Sequence, residues 1–463
     1  MVSHFTSGQS DTVRSETLKK ALAGVTMAIM AFGLALVGGA PALAGIIRDT
    51  EIEAGLKTLL EPLETAAGYQ AGSIDIRVVL DPSYNAFVAG KRLIYLHSGL
   101  IVESKSSLEA IGVMAHELGH IKEGHVQRID DELQEASGAA ALATVAAIAV
   151  AAGGGGDAAA GVLIGGNDQA ARGFLASRRR AESVADEIGM QLLEKNELSA
   201  VGLRDLMQRM ARQRSLPESR QSSYYATHPG AADRLQAFQD HVNQSPHSEK
   251  APPPDAVALF ARVQAKMIAW TETPQRVKST AAEDAPSESI GSYMRAIADF
   301  RRGDLKTALT RMDRLISDWP NDAYFHEFRG DILFALARPA DAASAYEQAL
   351  TLRPSSALIQ INLGRALIAV GGATNLQRAI AALEAAHDHE AGWAFLHRQY
   401  GIALGRSGRI AEADLALANE AILLNEGARA AQLARRVMAI EGLDPVLHHR
   451  ASDIVFRYSS DQR

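Results

Sequence analysis

Apolar and polar positions alternate through Ile74-Asp75-Ile76-Arg77-Val78, then run continuously apolar into Leu80. This is the pattern of a half-buried strand, and Asp81-Pro82 ends it. Asn85 to Ala89 and Arg92 to His97 read as two further short strands around Gly90-Lys91, so a hairpin is expected beside the first strand. From Leu108 to Arg128 the period lengthens to that of a helix, with Ser106 and Ser107 as N-caps. Ser137 to Gly166 then breaks the pattern, with 30 residues of mostly Ala, Gly, Val, Leu and Ile whose one charge is Asp157, arranged around Gly153-Gly154-Gly155-Gly156. A membrane span needs about 20 apolar residues without such a break, which favours two short helices folding back at the glycines. A buried helix pair, a lid over a site, and a surface resting on a membrane or an apolar client all fit that composition.

Pro252-Pro253-Pro254 and the polar run Lys278 to Ser289 bracket one more helix, Asp255 to Ala269, so residues 251–288 read as a connector. Beyond it the pattern repeats. Gly330 and Gly364, Pro320 and Pro354, and Ala308 and Ala342 are each 34 residues apart, the tetratricopeptide period. Ala342, Tyr346, Ala349 and Pro354 give the small-aromatic-small-proline order of one copy. Ala379 and Ala386 repeat it after a three-residue insertion near Gly371-Gly372, and Gly401, Ala413 and Leu417 mark a fainter copy. Three to four repeats over about 289–427 are expected, with Ala428 to Glu441 as a capping helix. The expected organisation is a leader at 1–44, a catalytic domain at 45–250, the connector at 251–288 and a repeat domain at 289–463.

The leader changes the picture of where the chain works. Lys19 and Lys20 precede a 17-residue apolar run, Ala21 to Val37, and Gly38-Gly39-Ala40-Pro41-Ala42-Leu43-Ala44 follows with Ala42 and Ala44 at an A-x-A site. Cleavage after Ala44 is expected, and an uncleaved anchor is the alternative, because the run is just long enough to span. Export follows, to the periplasm in a double-membrane bacterium. The 463 residues include no cysteine, so disulfides, thiolate metal sites and cysteine nucleophiles are excluded and any metal must sit on His, Asp or Glu. A net charge of −7 argues against a nucleic-acid partner.

Chemistry concentrates in His116-Glu117-Leu118-Gly119-His120, inside the apolar helical run that begins at Ala110. At about 100° per residue the two histidines are separated by roughly 40°, so both imidazoles face one point and can share one Zn²⁺ per chain. Glu117 lies on the adjoining flank, placed to take a proton from water during attack on a peptide carbonyl. A chance H-E-x-x-H in a chain of this composition is on the order of 0.02. Catalytic zinc normally takes a third protein ligand. His125 follows His120 by five residues, about 140° round a continuous helix, and reads as structural or solvated. Glu182 and Asp186, one turn apart on a second helix, offer one carboxylate for the metal and one to orient a histidine from behind; surface carboxylates at that spacing are the alternative.

His116-Glu117-x-x-His120 followed by Glu182-x-x-Ala185-Asp186 resembles the zinc metallopeptidase family that includes HtpX and the CAAX prenyl proteases. With the leader and the repeats, the whole chain is similar to that family's soluble periplasmic branch, the BepA-like β-barrel assembly-enhancing proteases. Asn85-Ala86-Phe87, Ser98-Gly99-Leu100-Ile101, Ser177-Arg178, and Thr227-His228-Pro229 with Asp233-Arg234 carry the likeness further. The resemblance implies a mainly α (α+β) fold, a zincin-type metallopeptidase domain with a small β-sheet followed by an α-helical repeat solenoid. It implies that His116, His120 and Glu182 hold zinc and that Glu117 is the general base. It also implies that His228 can occupy the fourth metal position and hold the enzyme latent, and that Arg234 stabilises an oxyanion; a salt bridge on its helix is the alternative for Arg234. The expected substrates are misfolded or stalled envelope proteins. The repeats are expected to engage the outer-membrane assembly machinery, and 137–166 to contact the membrane peripherally. A chaperone-like repeat scaffold with little proteolysis is the second reading. Tyr95 and its neighbours in Arg92 to Leu96 are expected to receive an extended peptide by strand addition.

Overall fold

The computed structural model of the protein describes residues 45–125, 156–212, 224, 228 and 231–459. The expected leader, the first part of the glycine-rich stretch, and Thr227 and Pro229 lie outside the described residues. Four short strands form the sheet: β1 (Ile46–Ile47), β2 (Asp75–Val79), β3 (Ala86–Ala89) and β4 (Leu93–His97), in the order β1-β2-β4-β3. β3 and β4 make the expected hairpin, antiparallel with Phe87 opposite Tyr95, and Gly90 turns it at φ 63°. β2 pairs with β4 in parallel, Ile76 opposite Ile94. β4 is therefore bonded on both sides, and the expectation that Arg92 to Leu96 accept a peptide strand is corrected: β3 is the edge beside it. A parallel pairing between distant segments leaves no mark in the local alternation that revealed the hairpin.

Helices α1 (Thr50–Ala67), α2 (Ser98–Glu103), α3 (Ser107–Lys122), α4 (Gly156–Lys195), α5 (Val201–Arg212) and α6 (Ala231–Gln244) complete the N-terminal core with the sheet. Ser106 caps α3 by accepting from the Glu109 backbone N–H, as its sequence predicts. α3 stops at Lys122, short of the expected Arg128, because Gly124 takes the left-handed conformation at φ 64°. Ile111, Val113, Met114, Ala115 and Leu118 of α3 pack among Ile76, Ile94, Leu193, Leu203 and Leu206, so the metal-motif helix runs through the middle of the core. α4 is one continuous helix of 40 residues, so the second half of the glycine-rich stretch is not a short helix of its own. No Pro interrupts it, and isolated glycines inside a helix cost only about 1 kcal/mol each. Among the described residues no helix is long and apolar enough to cross a membrane.

The connector carries two helices where one was expected, α7 (Pro254–Thr271) and α8 (Pro274–Glu283). α7 is shared by two cores: Phe260, Val263 and Met267 join the N-terminal one, and Ala265 and Ala269 join the first repeat helices. Those helices pair in sequence as α9 (Glu288–Arg301) with α10 (Leu305–Asp318), α11 (Ala323–Ala335) with α12 (Pro339–Leu352), α13 (Ala357–Val370) with α14 (Ala373–Glu390), and α15 (Ala394–Arg406) with α16 (Ile410–Leu423). A Cβ on Gly330 would meet the Tyr346 ring at 2.5 Å, one on Gly364 would meet Leu383 at 2.7 Å, and one on Gly401 would meet Leu417 at 2.8 Å. The glycine of each of the last three pairs thus receives a large side chain from its partner helix, which is the packing reason for the repeat. The three-residue insertion falls at Gly371 and Gly372, both at positive φ, where it lengthens a loop and leaves this contact intact. A helix, α17 (Gly427–Met438), stands where Ala428 to Glu441 was expected to cap the repeats, and it pairs with a further helix, α18 (Pro445–Ser459).

A buried polar seam joins the two halves. Arg48 bridges Glu53 at 2.7 Å and Glu390 at 2.6 Å, with its guanidinium 4.5 Å above the Trp393 ring. Lys266 of α7 bonds Asp49 at 2.8 Å and Glu51 at 3.0 Å, and Arg262 spans Glu51 and Asp322. Charges taken out of water in this way must be paired, and here each finds a partner across the seam.

Candidate metal centre

α3 and α4 come together beside the sheet because small residues line their contact. A Cβ on Gly119 would lie 2.7 Å from the Ala185 carbonyl oxygen, and one on Gly189 would lie 3.3 Å from the His116 backbone nitrogen. This close approach places the carboxylates of α4 over the histidines of α3. Gly119→Ala is expected to push the helices apart by a few tenths of an ångström and to weaken metal binding by about 10–100-fold, the usual cost of disturbing a ligand's support. Chelator competition on the purified variant measures it.

His116, His120, Glu182 and His228 are all buried, and one donor atom from each lies within 4.8 Å of the others. His116 Nε2 is 3.1 Å from His120 Nε2 and 3.2 Å from His228 Nδ1. Glu182 Oε2 is 3.0 Å from His228 Nδ1, and Glu182 Oε1 is 3.5 Å from His120 Nε2. Behind this group, Asp186 Oδ1 lies 2.9 Å from His116 Nδ1. Arg234 grips Asp186 with two nitrogens, Nε at 2.5 Å and Nη2 at 2.6 Å, and donates from Nη1 to Glu182 at 2.8 Å and to the His228 carbonyl at 3.3 Å. The structure therefore brings His116, His120, Glu182, His228, Asp186 and Arg234 into one buried cluster. It also places the Arg234 guanidinium in salt bridges behind the donors.

Electrostatics follow from this geometry. Burial alone would depress the His116 imidazole, yet Asp186 and Glu182 hold it up at about 9. Burial opposes ionisation of Glu182, but His228, His116 and Arg234 outweigh it and keep its carboxyl well below the usual range. His120 is driven down, by burial and by the neighbouring His116. Glu117 is raised by burial, and neither of its oxygens has a hydrogen-bond partner among the described residues. A buried carboxylate without a hydrogen-bond partner, beside a nest of donors, is poised to take a proton.

Two neighbours were not legible in the sequence. Tyr224 stacks on the His228 ring at 4.4 Å and meets Tyr84 edge-on at 5.8 Å, and the His228 backbone N–H donates to the Tyr224 carbonyl at 2.9 Å. The spacing of four between Tyr224 and His228 is the one signal that could have paired them. His125 is the other. It is buried, with Nδ1 2.9 Å from His120 Nδ1, so of the structural and solvated readings the solvated one is corrected, and it lies outside the four-donor group. The 140° rotation assumed an unbroken helix, and the turn at Glu123-Gly124 swings the residue back.

Residues 49–242, which hold this cluster, match the model of peptidase family M48, and residues 293–357 match a tetratricopeptide-repeat model. These matches support a metalloprotease domain followed by tetratricopeptide repeats. Among curated proteins, a β-barrel assembly-enhancing protease of Yersinia pestis is 23% identical over 353 residues, covering 75% of this chain and 72% of that protein. Metalloprotease LoiP of Escherichia coli strain K12 is 29% identical over 177 residues, 37% of this chain and 63% of that protein. A β-barrel assembly-enhancing protease of Escherichia coli strain K12 is 22% identical over 289 residues, 62% of this chain and 59% of that protein. The chain thus spans about three-fifths of the length of the last two. The donor set of this domain, imidazole nitrogens with one carboxylate, suits a divalent metal.

Proposed function

We propose that this protein is a periplasmic zinc endopeptidase that degrades misfolded or stalled outer-membrane proteins, is supplied with them through its repeat domain, and is held latent by His228. The observation that carries the reading is the convergence of four buried donors beside a buried Glu117 whose oxygens have no hydrogen-bond partner among the described residues. His116, His120 and Glu182 would hold the metal, one per chain, a ligand set that fits zinc. Zinc bound there supplies Lewis acidity, polarising a peptide carbonyl and acidifying water. Glu117 accepts the proton from the attacking water and passes it to the leaving amide nitrogen. Asp186 holds His116 from behind, and Arg234 fixes Asp186 and Glu182 together.

His228 is the reason for latency. Its Nδ1 enters the donor group, while its Nε2 sits 3.2 Å from the Ala86 carbonyl oxygen on the edge strand and 3.5 Å from Glu117 Oε1. One ring thus covers the metal position, the edge strand and the base. His228→Ala is expected to raise casein cleavage about tenfold or more, the gain when a state latched roughly 90% of the time is released. Unchanged or lower cleavage, at equal zinc content, refutes the latch. The export, the client class and the recruitment by repeats are supported by the A-x-A leader pattern, the names of the relatives and the repeat match. The closed site also suits the second reading, a scaffold that assists assembly with little proteolysis. A Glu117→Gln chain that fully supports envelope integrity in cells would favour the scaffold.

A further inference from the structure

We propose that His125 is a positioning residue that fixes the His120 ring for metal binding, an inference that rests on the zinc reading above. Both histidines of the motif present Nε2 to the centre, as their 3.1 Å approach shows, which leaves each Nδ1 on the far side. A neutral imidazole that binds through Nε2 carries its proton on Nδ1 and needs an acceptor there to hold the ring and its tautomer. For His116 the Asp186 carboxylate stands on that side, with Oδ1 2.9 Å from Nδ1 as an ion-pair contact. For His120 the group at the same 2.9 Å is His125 Nδ1, the two rings lying 5.0 Å apart at 70°. His125 accepts there when its own proton is on Nε2.

The surrounding chain is built to deliver this ring. α3 ends with the Glu123 N–H bonded to Gly119 and the Gly124 N–H bonded to Ile121, and Gly124 at φ 64° reverses the direction so that His125 returns beneath His120. Other residues pay a steric cost in that conformation. His125 is 5% exposed, so its ring is held and does not sample solvent. There is also a reason for an imidazole where a carboxylate commonly stands. Glu117, Glu182 and Asp186 already crowd this pocket, all buried, and a fourth carboxylate would add desolvation cost and repulsion. A neutral acceptor orients His120 without that charge.

The test compares the full mature chain with His125→Ala and His125→Asn, whose amide oxygen can stand near the original Nδ1. Zinc affinity by chelator competition, the visible spectrum of the cobalt-substituted protein and the thermal midpoint without metal are measured on each, with His116→Ala as a control. Zinc affinity is expected to fall about 10–100-fold in His125→Ala and to recover to within a few-fold in His125→Asn. The cobalt spectrum should shift in the first and return in the second, and the metal-free midpoints should stay together. Equal zinc affinity in wild type and His125→Ala overturns the proposal, as does equal weakening in both variants, which would mark a packing role. Wild type that binds no zinc, or zinc retained in His116→Ala, overturns the metal reading and this inference with it.

Discussion

Glu117→Gln is expected to lower the rate of casein cleavage by about 10²–10⁴-fold, the range for loss of a general base, with zinc content unchanged. The substitution keeps the shape of the side chain and removes only its ability to hold a proton. Both oxygens of Glu117 lack a hydrogen-bond partner among the described residues, and burial raises its pKa, so the carboxylate contributes little to the fold. The thermal midpoint of Glu117→Gln should accordingly equal or exceed that of the wild type. Elemental analysis, casein turnover and a melting curve on one preparation separate the possibilities. Wild-type turnover in this variant would remove Glu117 from the chemistry, and a large fall in stability would show that the side chain is structural.

Glu182→Ala is expected to have the largest effect on the metal itself. It removes the carboxylate of the donor group and leaves two motif histidines with His228, a set without the anion that balances zinc's charge. Affinity should fall by more than about 100-fold, beyond the ~10–100-fold that follows from losing an outer partner. Zinc near one per chain should drop to a small fraction, and casein cleavage should vanish with it. Arg234 keeps its two bonds to Asp186 in this variant, so the guanidinium is not stranded and the fold should survive. Zinc retained without Glu182 would mean that another residue supplies the third ligand, and the site as assembled here would be wrong.

These two expectations rest on different kinds of legibility. The motif histidines and Glu117 could be placed from the sequence because a helix repeats every 3.6 residues whatever surrounds it. The repeats could be counted for a similar reason: each glycine of the 34-residue spacing must receive one large side chain from the next helix, so the pattern recurs wherever the packing does. Glu182 was harder. Its 62-residue separation from His120 carries no geometry, and family likeness was needed to choose it over a surface carboxylate.

Local periodicity, turn residues and motif spacing thus specified the hairpin around Gly90, the helix bearing His116 and His120, the helical pairs of the repeat domain and the residue types of the metal group. Contacts between distant segments supplied the rest. The parallel pairing with β2 made β4 an interior strand, and a left-handed Gly124 turned His125 toward His120. The two apolar faces of α7 made the connector a shared wall. Arg234 joined the cluster because Asp186 and Glu182, buried beside it, require a counter-charge. Backbone geometry acts within a few residues and is written in sequence spacing. Burial and charge pairing act between whichever groups the fold brings together, and no spacing along the chain records them.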